Sequence, residues 1–100
     1  MIKLTVLYGH PTDPQTFETY YATRHMPLVA KMSGFTRTEK AKVVGTPDGG
    51  KPPFYRMFEF WFESEDALKQ TMGSAEGKAA VEDLPKFATG GVTVLVSALE

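Results

Sequence analysis

Apolar and polar positions alternate from the first residues: Ile2, Leu4, Val6 and Tyr8 share one face, and Lys3, Thr5 and Leu7 the other, predicting a strand over 2–8. Gly9, His10, Pro11 and Thr12 read as a short connection. The period then changes. Asp13 followed by Pro14 marks a helix start, because the carboxylate can accept from unpaired first-turn amides and proline has no N–H to leave unsatisfied there. Phe17, Tyr21, Arg24 and Leu28 form the predicted stripe, flanked by Tyr20 and His25. Pro27 cannot donate to the Thr23 carbonyl and crowds it, so the helix is expected to kink or stop near His25. A further turn or two should run to Ser33, with Gly34 ending it.

Residues 35–44 predict a second strand whose charges, Arg37, Glu39, Lys40 and Lys42, suit a sheet edge. The Pro- and Gly-rich stretch 46–53 reads as a hairpin loop. Residues 54–62 are the densest apolar run, with Phe54, Phe58, Phe60 and Phe62 on one face and Tyr55, Met57, Glu59 and Trp61 on the other. Such a strand is expected to be covered on both faces. Ser64 and Ser74 cap two helices, anchored by Leu68 and Met72 and by Ala80, Val81 and Leu84, with Phe87 packing beyond Pro85. Gly90 and Gly91 turn the chain into a last strand over 92–99.

The order βαββαβ is the α+β, ferredoxin-like plan, with the first and third strands central and helices on one sheet face. One hundred residues fit a single domain, 1–100. The uncovered face would expose part of the aromatic third strand, which predicts a homodimer through the sheet faces. The resulting barrel-like interior, between subunits, is the expected cavity for a hydrophobic or aromatic small molecule.

Composition narrows the chemistry. With 42% hydrophobic and 23% charged residues the chain reads as globular, and its net charge of −1 offers no bulk attraction for nucleic acid or anionic lipid. Zero cysteines exclude disulfides, thiolate metal sites and a cysteine nucleophile, and fit a cytoplasmic protein. No apolar run approaches the roughly 20 residues of a membrane span, and the start reads as a strand rather than a signal peptide. Two histidines without tight ligand spacing argue against a metal site, and neither a phosphate loop nor GxGxxG is present.

Tyr8, His10 and Pro11, then Asp13, Phe17, Tyr20, Tyr21, His25, Pro27 and Leu28, with weaker echoes in Asp83 and Phe87, resemble the ethyl tert-butyl ether degradation (EthD) type of dimeric α/β-barrel protein. The resemblance covers nearly the whole chain. It implies a ferredoxin-like homodimer of small-molecule catabolism; relatives in the wider superfamily resemble cofactor-free isomerases, decarboxylases, dehydratases and oxygenases.

His25 is the foremost catalytic candidate: an imidazole can take a proton at neutral pH, and a helix C-terminus would favour its protonated form. The plainer reading is a histidine closing a helix end. Tyr20 and Tyr21 could orient a ligand oxygen, or simply pack as core. Glu59, midway along an apolar strand, is expected to be partly buried, either facing the cavity near His25 or paired structurally, through the strand contacts of Arg56 or with Lys3, and the structural pairing is the reading preferred. Trp61, with Met57 and Tyr55, would give a cavity wall or dimer packing. His10 sits at a strand exit, where small α/β folds often place their sites, while Arg24 reads as a surface contact.

Two main functions follow. One is a cofactor-independent lyase, isomerase or oxygenase using His25 as acid or base. The other is a non-catalytic binding or accessory protein for a hydrophobic metabolite or a neighbouring oxygenase. An RNA-binding reading of the aromatic strand fails on the missing glycine and basic start, and on Glu59.

Overall fold

The computed structural model covers residues 1–100. Its elements are β1 (Ile2–Tyr8), α1 (Pro14–Tyr20) continuing through a wide π turn (Tyr21–His25) into α2 (Met26–Val29), then β2 (Arg37–Lys42), β3 (Arg56–Phe62), α3 (Glu65–Gly73), α4 (Ala75–Asp83) with a 3-10 turn (Leu84–Lys86), and β4 (Val92–Ala98). The strands form one antiparallel sheet in the order β2-β3-β1-β4. This is the expected α+β ferredoxin-like arrangement, with the polar strand at an edge and the aromatic one inside.

Local chemistry sets the helix starts. Asp13 accepts from the amides of Gln15 and Thr16, Ser64 from Ala67 and Ser74 from Gly77. Strand pairing then aligns the core: Leu4 lies opposite Phe60 and Val6 opposite Phe58, so the even-numbered side chains of both strands face the helices. Phe17, Tyr21, Val29, Met32, Ala80 and Phe87 complete that core. Tyr8, Phe17 and Phe62 are its most fully enclosed large side chains, and each such burial stabilises the fold by about 1.5–3 kcal/mol. Where β1 leaves the sheet, Gly9 passes so close to Gly90 that a Cβ on either would strike the other's backbone.

Three expectations are corrected. Of the kink or stop expected near His25, the stop does not occur: the helix is interrupted there only by the π turn, His25 and Met26 both keep right-handed helical dihedrals, and the helix runs on to Val29, short of the expected Ser33. The second and third strands are shorter than 35–44 and 54–62. Tyr55 lies before β3 begins and escapes its alternation. Its ring meets Phe17 edge-on at 5.2 Å and its hydroxyl donates to Glu18 at 2.9 Å, so it belongs to the helix side rather than with Glu59 and Trp61.

Helices cover one sheet face only. The other carries Lys3, Thr5, Leu7, Met57, Glu59, Trp61 and Leu95, with Arg37 stacked over Trp61 at 4.1 Å. Along β4, Val94, Leu95 and Val96 are each about half exposed, on both faces of the strand. No helix is long and apolar enough to cross a membrane.

Phe62, wholly buried at the end of β3, gives a direct check on this packing. Phe62→Ala should lower the unfolding free energy by about 3–5 kcal/mol in urea denaturation; a loss below about 1 kcal/mol would contradict the packing described.

Candidate active site

The site begins with the wide turn. At Tyr21–His25 the helix opens, and the amide of Met26 donates to the carbonyl of Tyr21, five residues back. Pro27 follows at once, where a regular helix would press its ring against the Thr23 carbonyl and find no N–H to donate. The extra residue shifts the buried stripe. It runs through Phe17, Tyr21, His25 and Val29, while Arg24 is exposed and Leu28 half-buried. His25 therefore faces the core at 4% exposure.

The opposing wall comes from α4, whose buried residues are Gly77, Ala80 and Asp83, three apart along one helix face. Gly77 lets α4 start tight against the end of α3, since a Cβ there would run into the Thr71 carbonyl. Asp83, 5% exposed and two turns further along α4, meets His25: Oδ2 lies 3.0 Å from Nδ1. The other carboxylate oxygen accepts from the Tyr20 hydroxyl at 2.7 Å. Phe87 closes the group, with its ring 4.7 Å from that of His25 and stacked on Tyr20 at 5.2 Å.

Burial pushes the Asp83 pKa upward, but the hydrogen bonds from Tyr20 and His25 outweigh it and hold the carboxyl below its usual value. An ionised carboxylate only accepts, so Nδ1 of His25 carries the proton and Nε2 the lone pair. Burial also dominates at His25 itself, where it lowers the pKa below 6.5 against the opposing pull of Asp83. The expected helix-end effect, which favoured the imidazolium, is overturned: the helix does not end there, and desolvation favours the neutral ring. Since the folded value lies below the unfolded one, this histidine's contribution to stability is present above 6.5 and is lost as pH falls through the folded pKa.

Nε2 makes no hydrogen bond within the chain. His25 lines a cavity of about 240 Å³ between the helices and the sheet, and 14 of the 15 lining residues are hydrophobic. Leu4, Val6, Phe58 and Phe60 form the floor, Met26, Val29 and Met32 one wall, and the half-exposed Val81 and Val94 the rim. The expected cavity lay between two subunits; this one lies within a single chain, where the helix layer leaves Val94 and Val96, on the helix side of β4, half exposed.

The other predicted residues are distributed as follows. Tyr21 lines the cavity; burial pushes its phenol up to about 12, against the Arg56 guanidinium that lies 4.7 Å over its ring, and its hydroxyl has no partner. Tyr20 does not line the cavity and is linked to it only through Asp83 and then His25. Glu59 and Trp61 sit on the opposite sheet face, where Glu59 accepts from Thr5 at 2.9 Å and pairs with Lys3 at 3.1 Å. His10 donates from Nε2 to the Pro52 carbonyl at 2.8 Å and fastens the 46–53 loop, away from the cavity. Arg56 donates two hydrogen bonds to Glu18, at 2.6 and 3.1 Å, and joins β3 to α1. No group of three His, Cys, Asp or Glu side chains is gathered as a metal site would require.

Residues 9–91 match the EthD domain model. The chain belongs to the EthD family. A relative from Rhodococcus erythropolis, an uncharacterised 11.0 kDa protein of the thcB-thcC intergenic region, is 37% identical over 95% of this chain and 91% of its own. A crystal structure of an EthD family protein from Bacillus halodurans superposes with a TM-score of 0.91 at 35% identity, covering 100% of this chain and 99% of that one. Structures that share the fold at 14% identity include a dimeric ferredoxin-like protein from Thermobifida fusca (TM-score 0.72, covering 98% and 90%) and SnoaB, a cofactor-independent oxygenase from Streptomyces nogalater (0.64, covering 98% and 90%).

In this EthD chain Asp83 is the residue that sequence reasoning did not place in the site. Its signal was faint: a carboxylate three residues beyond Ala80 on a stripe of small residues. Removing its charge withdraws what holds the His25 pKa up. In Asp83→Asn the ring should therefore stay neutral to lower pH than in the unmodified protein, as read by NMR titration of the ring; a rise would contradict the pairing.

Proposed function

We propose that this chain is a cofactor-independent enzyme of small-molecule catabolism whose reaction begins with proton abstraction by His25. The observation that carries this reading is the placement of a neutral imidazole, tethered at Nδ1 to Asp83, on the wall of an otherwise apolar cavity. Nε2 would take a proton from a bound carbon or hydroxyl acid, and the Asp83 carboxylate would stabilise the imidazolium that forms. Returning the proton to another atom of the same molecule would be an isomerisation, and loss of a leaving group an elimination. SnoaB supports the cofactor-free part of the reading through its fold alone.

A second reading, a non-catalytic carrier of a hydrophobic metabolite, is favoured by the 14 apolar lining residues. The two separate on a simple probe. 1-Indanone matches the cavity in size and has slowly exchanging C–H protons beside its carbonyl. In D₂O the protein should accelerate that exchange, and His25→Gln should slow it by about 10²–10⁴-fold. Saturable binding without faster exchange would favour the carrier.

The assembly proposed with this function is a cytoplasmic homodimer, sheet face against sheet face. The cysteine-free composition supports the compartment. The uncovered face supports the dimer: Leu7, Met57, Trp61 and Leu95 supply apolar area, and Lys3–Glu59 and Arg37–Glu39 are already paired, so a second copy meets little net charge. The dimeric Thermobifida fusca structure supports it by analogy of fold. Met57→Glu, which sets a charge beside Glu59 in that face, should convert dimer to monomer in sedimentation velocity; an unchanged dimer would place the interface elsewhere.

A further inference from the structure

We infer that the substrate is a neutral, compact compound of about ten non-hydrogen atoms, whose polar group facing His25 carries an acidic proton, as in a phenol or an enolisable carbonyl. This rests on the reading of His25 as the base and adds the charge, size and acidity of what that base can meet.

Size follows from the cavity. A pocket near 150 Å³ takes one benzene ring, so 240 Å³ takes about ten non-hydrogen atoms, one or two fused rings. Charge follows from the surroundings. No lysine or arginine lines the cavity. Arg56 is committed to Glu18 through two hydrogen bonds, and Lys86 sits at the surface, 3.9 Å from Asp83. A carboxylate or phosphate entering the cavity would lose its water without gaining a cation. It would also approach Nε2 with the Asp83 charge directly behind the ring, adding a second negative charge to the one already buried.

Acidity follows from the same charges. When a neutral ligand gives its O–H or C–H proton to Nε2, the electron pair stays on the ligand as an oxyanion or enolate. The products are then ligand anion, imidazolium and Asp83 carboxylate in alternating order, and no charge is left without a neighbour of opposite sign. A simple alcohol or ether has no proton that imidazole can remove to any useful extent, so it would bind without reacting. Besides Nε2 the lining offers only the hydroxyls of Tyr8 and Tyr21 as polar partners, so a further polar group on the ligand is tolerated only where a phenol hydroxyl can meet it.

Isothermal titration at pH 7.5 with 2-naphthol, 2-naphthoate and 1-pyrenol tests the charge and the size together. 2-Naphthol should bind at least tenfold more tightly than 2-naphthoate, which has the same rings and a full charge. The four-ring 1-pyrenol should bind no better than 2-naphthoate. Equal binding of naphthoate and naphthol, tight binding of pyrenol, or no binding of naphthol would each overturn the assignment. His25→Gln keeps Asp83 and the apolar walls, so the preference for naphthol over naphthoate should persist in it. Failure of the indanone exchange with this preference intact would count against His25 as base and leave the neutral ligand class standing; loss of the preference with exchange intact would do the reverse.

Discussion

Pro27 has no amide hydrogen, and the site follows from how the helix accommodates it. The turn ahead of it widens, Met26 reaches back five residues to Tyr21, and the face presented to the core shifts by one position. Without that shift Arg24 would continue the stripe of Phe17 and Tyr21; with it His25 does. The helix thus stays continuous while a titratable ring replaces a surface cation at the cavity wall. The cost of a poorer helical turn is borne locally by the packing of Tyr21 against Tyr8 and Phe17.

Placing His25 inside creates a second requirement, a partner for a buried polar ring. Asp83 meets it from α4, whose start Gly77 packs tightly against the end of α3. A buried carboxylate with no partner would take up a proton; two donors, the Tyr20 hydroxyl and the His25 Nδ1–H, keep Asp83 charged instead. Each hydrogen bond to such a charge contributes about 1.5–3 kcal/mol. The carboxylate fixes the tautomer of the ring, so the lone pair is confined to Nε2. The sheet then has two separate tasks: its helix side floors the cavity, while its other side carries the Lys3–Glu59 pair and the exposed apolar residues.

Much of this was readable in the sequence wherever the deciding interaction is local. The alternation of β1, the polar edge character of β2 and the caps at Asp13, Ser64 and Ser74 depend on residues a few positions apart, and they appear as expected. His25 stood out because an imidazole beside a proline break is conspicuous. Its partner did not, since Asp83 lies 58 residues away and nothing in the spacing joins them. Glu59 took its place as a candidate because β3 is apolar on both faces, so alternation alone does not say which face the helices cover. The pairing of Thr5 with Glu59 across the β1–β3 register decides it. The position of the cavity was equally hidden: it depends on how much of β4 the helices leave uncovered, a packing property with no periodicity of its own.

The chemistry of the site turns on one protonation state, a neutral His25 with its proton on Nδ1 and its lone pair on Nε2. Nitrogen-15 NMR of the uniformly labelled protein at pH 7 reports this directly, because protonated and unprotonated ring nitrogens resonate far apart. A protonated Nδ1 and an unprotonated Nε2 for His25 is the predicted result. The reverse tautomer, or a ring protonated at both nitrogens, would contradict it.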